Sequence, residues 1–525
     1  MSELEFSHKT RSQWLQEIQA KTHEALVVGG GIVGASVLRE LSLRGIQAVL
    51  VDKGDFANAT SSRSSKLIHG GLRYLEMFDF GLVFEALAER HWLLKHHPHL
   101  VSPLQFNIPI FEKKFAPVGS RAGYIISLGL WLYDALSLGR TPFKHGRHSR
   151  LEAMEIFPGI KSQGLRSSLY YADAMMLDDE LVLECIYDAI KRQTARAVSY
   201  CEVESIQKIH QVYEAQCHDT FTGKKITLHA KEVIVCVGPW TEKIGGRILG
   251  GSQRKLKPSK GVHLVLPWSR LPLKHCLVMQ AQDERIIFAI PRLDLGAGAE
   301  VVIVGTTDSK EEGDPALITA NRGDVEYLLA ELNEYFPEAK LTQSDLCTTF
   351  AGVRPLIDDG QVEAKTSREH EIWRNDQGIV FMAGGKYTTF RNIAEEIVEF
   401  AFPKSKLRKS NKINLSTPQE YEARFRAEKN SNTENSDKEN LKERKIWGKF
   451  TEDWVKWKCQ HHCPMTLEDV VFRRIPLWLH GPRILENRSF ERVLSVARDH
   501  FQWSQSQADA EVAKLESKLV SQMRF

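Results

Sequence analysis

The sequence predicts an α/β chain with a Rossmann-like nucleotide-binding domain, a strand-rich second half and an all-helical C-terminal domain. Three observations carry this expectation. Residues 24–52 run strand, glycine turn, helix, strand and terminal acid. Strand-like apolar runs ending in Gly, Pro or a cation recur from residue 198 to residue 390, and beyond Phe402 helical patterns replace them.

The totals set the bounds. A chain of 525 residues exceeds one ordinary core, so two or three domains are expected. Seventy cations against 67 anions leave a net charge of +3, without the concentrated excess of a nucleic-acid binder, and no nucleic-acid partner is expected. The eight cysteines are scattered, several inside apolar runs such as VIVCVG, which fits a reducing compartment and no disulfide framework. The first residues mix acids and bases and lack the apolar run of a secretory signal. The stretch from Ala122 to Tyr133, bracketed by Arg121 and Asp134, is too short to span a bilayer.

In chain order, residues 1–23 read as a short amphipathic helix with Trp14, Leu15 and Ile18 on one side. The strand ALVV then runs into Gly29, Gly31 and Gly34, which form G-x-G-x-x-G. A helix pattern (ASVLRELSLRG) and a second strand (AVLVD) follow, closing on Asp52 eighteen residues past Gly34. This order is the βαβ context the glycine motif requires. The glycines let backbone turn and approach a pyrophosphate, and the helix N-terminus offers unpaired N–H groups to it. Asp52 is placed to accept from the adenosine ribose hydroxyls. The motif alone does not choose between FAD and NAD.

Thr60 to Glu76, TSSRSSKLIHGGLRYLE, packs hydroxyls, three cations, a histidine and a double glycine into seventeen residues. Short hydroxyl donors, close backbone approach at Gly70-Gly71, and Lys66, His69 and Arg73 suit a phosphorylated or anionic ligand. The order Ser-Ser-x-Ser-Ser-Lys-Leu-Ile-His-Gly-Gly-Leu-Arg-Tyr-Leu-Glu resembles the hallmark of FAD-dependent, aerobic-type glycerol-3-phosphate dehydrogenases, within the D-amino-acid-oxidase-like flavoproteins. The resemblance decides for FAD. It implies that Ser61, Ser62, Lys66, Leu67 and His69 line the cofactor while Arg73 and Tyr74 face the substrate.

The resemblance spans residues 11–400, with a fainter match afterwards. It implies an FAD-dependent oxidoreductase domain over 1–400, in which a Rossmann-like flavin-binding half (20–100, 175–255 and 376–400) interleaves with an α+β substrate half (101–174 and 256–375). A helical C-terminal domain over 401–525 follows, carrying a charged linker, 428–445, whose one hydrophobic residue is Leu441. Helices are expected at Gly81 to His97 and Met175 to Arg192. Asp173 and Asp178, in YYADAMMLDD, read as structural. The strand KEVIVCVGPW brings Gly238 towards the adenosine end.

From Lys255 onward, strand-like runs deliver His263, Arg354 and Lys386 at their ends. With Arg73 they put three cations and an imidazole into segments that otherwise read as buried, where charge is costly unless an anion answers it; a phosphate would. Each matches the family pattern: His263 in Lys-Gly-x-His, Arg354 in Gly-Val-Arg-Pro-Leu, and Gly385, Lys386 and Thr388 in Gly-Gly-Lys-x-Thr-Thr-x-Arg. Thr306 and Thr307 fall in Gly-Thr-Thr-Asp, and Arg368 at a second phosphate-side arginine. The implied reaction is oxidation of sn-glycerol 3-phosphate to dihydroxyacetone phosphate, the C2 hydride going to the flavin N5. His263 is the expected base, since an ordinary imidazole titrates near the operating pH. Arg354 and Lys386 would orient substrate and stabilise the alkoxide, Arg73 and Arg368 would hold phosphate, Tyr74 and Thr307 would line the substrate, and Gly385, Lys386 and Thr388 would touch FAD.

No iron–sulfur or haem spacing is present, so electrons need an external acceptor. Cys459-Gln-His-His-Cys463 is not a standard ligand spacing, and no metal is expected. The family offers a membrane quinone or, in its oxidase branch, oxygen, and the quinone is favoured. The Trp-containing stretch Tyr124 to Leu138 and the cations Lys404, Lys406, Arg408, Lys409 and Lys412 suit a bilayer surface, giving a cytoplasmic protein held peripherally on the inner face of the cell membrane. A homodimer is compatible with the sequence. The competing readings are an amine or amino-acid oxidase of the same fold, an NAD-only dehydrogenase and a silent flavoprotein scaffold.

Overall fold

The computed structural model describes residues 4–71, 80–112, 122–249, 256–311, 313–358, 370–405, 445–447 and 450–525. Arg73, Tyr74, Arg368, residues 428–444 of the charged linker and the cations from Lys406 to Lys412 lie outside the described residues.

Two sheets organise the chain. In the first, Thr22–Val28 is a parallel central strand, flanked by Ala48–Val51 on one side and Lys224–Val235 on the other. The order runs His370–Arg374, Val380–Gly384, Lys224–Val235, Thr22–Val28, Ala48–Val51 and Ala195–Val198, and the antiparallel pair Cys201–Ile209 and Val212–Asp219 extends from it. These strands read as continuous apolar runs because helices cover the sheet; Ala25, Val27, Val49 and Leu50 are fully buried. The helices Ile32–Leu43 and Asp178–Lys191 pack against each other there.

Among the described residues ten strands form the second sheet, in which Val101–Phe111, Leu165–Met176, Leu256–Pro267 and Thr348–Ile357 are the long members. The chain crosses from one sheet to the other repeatedly. One expected boundary differs: Met175 and Met176 do not open a helix but end the strand Leu165–Met176, where they pair with Ser102 and Val101. The helix begins at Asp178, and Asp178, Asp179 and Glu180 place carboxylates against its positive N-terminal end.

Beyond residue 450 the described chain is helical, with Glu452–His461, Arg488–Phe501 and Gln505–Ser521 as the main helices. This helical region shares a core with the second sheet. Trp478 meets Phe350 edge-on at 5.3 Å and stacks on Phe472 at 5.4 Å. Gln522 accepts hydrogen bonds from the hydroxyls of Thr348 and Thr349. All eight cysteines are free and buried.

Candidate active site

The glycine turn is sterically dictated. A Cβ on Gly29, whose φ is +105°, would lie 2.5 Å from the carbonyl oxygen of Cys236, and a Cβ on Gly34 would lie 1.8 Å from that of Gly29. Only glycine permits this approach of loop, helix and neighbouring strand. Gly31 caps the helix Ile32–Leu43, and the Ser61 hydroxyl accepts the N–H of Ile32 at 2.9 Å. Asp52 follows its strand directly and accepts from the backbone N–H groups of Gly30 and Gly54 at 2.6 and 2.9 Å. Burial raises its carboxyl to about 6, against the lowering effect of those two N–H groups.

A cavity of about 620 Å³ runs from this turn to the second sheet. That size lies within the range of about 300–1,000 Å³ for small-molecule sites. Gly29, Gly31, Asp52, Gly238, His263, Arg354, Gly385 and Lys386 all line the cavity, with Ser61, Leu67, His69 and Thr388. The glycine cradle, the helix N-terminus and an acid at the end of the second strand are the donor and acceptor set of a dinucleotide, so the residues present fit FAD.

Several expected contacts fall elsewhere. Gly34, Ser62, Lys66 and Thr307 do not line the cavity. Gly34 serves the packing of loop on helix. The Lys66 ammonium is buried in an ion pair with Asp178 at 2.5 Å and donates to the Ser62 carbonyl at 3.2 Å. Thr307 is buried with its hydroxyl accepting the Val262 N–H at 3.0 Å, whereas the neighbouring Thr306 hydroxyl meets Arg354 Nη2 at 3.0 Å. Asp173 holds Arg90 and the Tyr133 hydroxyl in the interior.

His263 lies in the strand Leu256–Pro267, stacked on Phe350 with ring centroids 4.6 Å apart and 9° between planes. Its Nε2 is 2.8 Å from the Ser65 hydroxyl, and its Nδ1 is buried with no hydrogen-bond partner among the described residues. Burial first, then Arg354 and Lys66, lowers the imidazole to about 3, so it is neutral throughout the physiological range. This corrects the expectation of a group poised near neutrality. Arg354 spans Ser259, Thr306 and Asp308 from the adjacent strand, with contacts at 3.2, 3.0 and 3.4 Å.

Sequence reasoning missed Arg63, Ser65, Trp240 and Lys518, all of which line the cavity. Lys53 sits 3.9 Å above the Trp240 ring at the nucleotide end. Ser65 had a signal in the hydroxyl-rich stretch, whereas Lys518 comes from the last helix of the C-terminal domain and had none.

Comparison with known proteins agrees with this geometry. Residues 24–397 match the family described as FAD dependent oxidoreductase (DAO). A glycerol-3-phosphate dehydrogenase of Synechocystis sp. is 35% identical over 412 residues, covering 75% of this chain and 72% of the relative. The aerobic glycerol-3-phosphate dehydrogenase of Bacillus subtilis is 33% identical over 399 residues, covering 75% and 69%. Among solved structures, the glycerol-3-phosphate dehydrogenase from Bacillus halodurans complexed with FAD superimposes with a TM-score of 0.77 at 26% identity, over 98% of each chain. The chain therefore belongs to the FAD-dependent oxidoreductases and, within them, to the glycerol-3-phosphate dehydrogenase family.

Proposed function

We propose that this chain oxidises sn-glycerol 3-phosphate to dihydroxyacetone phosphate with FAD and passes the electrons to a membrane quinone. The observation that carries the reading is one cavity lined both by the glycine cradle and Asp52 and by His263, Arg354 and Lys386. Bound flavin supplies the hydride acceptor. Gly29 and Gly31, with the helix N-terminus behind them, receive the pyrophosphate, and Asp52 receives the ribose hydroxyls.

His263 acts on the substrate proton. In the tautomer that carries its proton on Nε2 and donates it to Ser65, the Nδ1 lone pair is left as the acceptor for the C2 hydroxyl proton. The Phe350 stack fixes the ring plane, so that lone pair has one direction. Arg354 and Lys386 offer cations to the oxygen that gains charge. Arg73 and Arg368 hold the phosphate, with Tyr74 beside them, on the family pattern alone.

The helix Ala122–Leu136 supports a membrane role. Tyr124, Ile125, Leu128 and Trp131 follow helical spacing on one face and are 55–73% exposed, while Leu130 and Tyr133 are buried. Leu138 continues the exposed surface, and Arg140 lies over the ring of the exposed Phe84 at 5.9 Å. An apolar face with Trp, Tyr and a bordering cation suits a bilayer interface. No helix among the described residues is long and apolar enough to cross a membrane, so attachment would be peripheral.

The test is anaerobic. The purified protein should be yellow, and sn-glycerol 3-phosphate added without an acceptor should bleach its visible flavin band. Re-oxidation by a quinone analogue much faster than by air supports the dehydrogenase. Re-oxidation by air alone makes it an oxidase, and bleaching by an amine but not by glycerol 3-phosphate overturns the substrate reading.

A further inference from the structure

The C-terminal domain meets the cofactor segment through buried charge. The run from Thr466 to Arg474, TLEDVVFRR, opens with Thr466 capping Asp469 and closes in a π-helical turn, Val470–Arg474. Such turns often mark functional positions. Here two consecutive arginines reach one carboxylate. Arg473 Nε and Arg474 Nη1 both donate to Asp55 Oδ2, and Arg474 Nη2 donates to Oδ1 at 2.8 Å. Arg473 also donates to Asp469 at 2.6 Å and to the Asn58 side-chain oxygen at 3.1 Å. Asp469 in turn accepts the Tyr200 hydroxyl at 2.8 Å. Asp55, Asp469, Arg473 and Arg474 are all buried and their charges balance.

These contacts converge on residues 52–63, of which Asp52, Gly54, Asn58, Ser61 and Arg63 line the cavity. From the other side, the Tyr200 N–H donates to the Gly54 carbonyl at 2.9 Å and the Cys201 N–H to the Asp52 carbonyl at 2.7 Å. Lys518, in the last helix, adds a cation of the same domain to the cavity wall. Burial pushes the Asp55 carboxyl up, but Arg474 and Arg473 outweigh it and hold it below the ordinary carboxylate range. The carboxylate is therefore ionised and its geometry is determined by the two guanidinium groups.

We infer that the C-terminal helical domain is a working part of the dinucleotide site: Arg473 and Arg474 are positioning residues that, through Asp55, hold residues 52–63 in the shape that receives FAD. The inference rests on the flavin reading and deepens it. Neither arginine lines the cavity. Their effect falls on FAD affinity, because a loosened segment must be ordered at the moment of binding.

The experiment strips FAD from the full-length chain and titrates it back, following the quenching of flavin fluorescence, for wild type, Arg473→Gln, Arg473→Lys and Tyr200→Phe. Arg473→Gln should weaken FAD binding by about tenfold or more with unchanged far-ultraviolet circular dichroism. Arg473→Lys should restore part of the loss, and Tyr200→Phe, which removes one hydroxyl and no charge, should weaken binding by about threefold. A folded Arg473→Gln protein that binds FAD within about twofold of wild type overturns the inference. If Arg473→Gln does not fold, Tyr200→Phe decides, and wild-type affinity there overturns it equally. Failure of glycerol 3-phosphate to bleach the wild-type flavin would sink the substrate reading while leaving these titrations valid.

Discussion

Replacing His263 by asparagine removes the bare Nδ1 and leaves the Phe350 stack without a titrating ring. Lowering the imidazole from its ordinary 6.5 to about 3 disfavours the protonated form by about 5 kcal/mol. That handicap comes from burial first and from Arg354 and Lys66 after it; an incoming anion offsets the two cations, and the substrate phosphate brings one. The variant should lose about 10² to 10⁴ in kcat/KM, while its flavin spectrum and FAD affinity stay as in wild type. Stopped-flow bleaching under anaerobic conditions reads the chemical step directly. The pH profile is the sharper measurement. A lowered imidazole is in its base form at every pH above its folded value, so His263 contributes no limb between pH 5 and 8. The substrate's own second phosphate ionisation, near about 6, produces a limb that persists in His263→Asn. A wild-type limb near the ordinary imidazole value that vanishes in the variant would refute the burial argument. A variant within about tenfold of wild type would refute the base assignment.

Three further outcomes are expected. FAD binding should need the Asp52 carboxylate, so affinity is full above about pH 6 and falls by about tenfold per unit below it. The fold responds oppositely: a raised carboxyl gives the cofactor-free protein stability that is present below the unfolded value of about 3.9 and lost as pH rises through about 6, and fluorescence titration against chemical unfolding at several pH values separates the two. Lys66→Met leaves Asp178 buried without its cation and should cost about 3–5 kcal/mol in urea unfolding; an unchanged midpoint would show that the pair is not structural. Charging the exposed helix face with Leu128→Glu and Trp131→Glu should abolish sedimentation with anionic vesicles while leaving reduction of a soluble acceptor intact, and vesicle binding equal to wild type would sink that docking face.

How much was legible follows from how local each signal is. The βαβ unit could be read because strand, glycines, helix and acid are consecutive in the chain, and the steric reason for Gly29 and Gly34 is contained within it and one neighbouring strand. Lys66 read as a cofactor contact because nothing in its own stretch announces Asp178, a partner that arrives only with the helix Asp178–Lys191. The apolar alternation around His263 suggested burial, yet not the parallel stack on Phe350 or the pair of cations that lower the imidazole. Met175 and Met176 carried an apolar pattern equally good for strand or helix, and pairing with residues 101 and 102 chose the strand. The Asp55–Arg473–Arg474 contact had no local signature at all, since it joins segments that only the completed fold brings together.

The strand order of the first sheet bears on how the chain is made. Thr22 pairs with His229, and Ile234 pairs with Val380, so the central strand stands without one neighbour until the ribosome has delivered the middle of the chain, and the sheet stays unfinished until nearly all of the oxidoreductase region has emerged. Contacts this distant in sequence are slow to form and leave strand edges bare meanwhile. No single cut in the chain separates two halves that could each complete a sheet during synthesis.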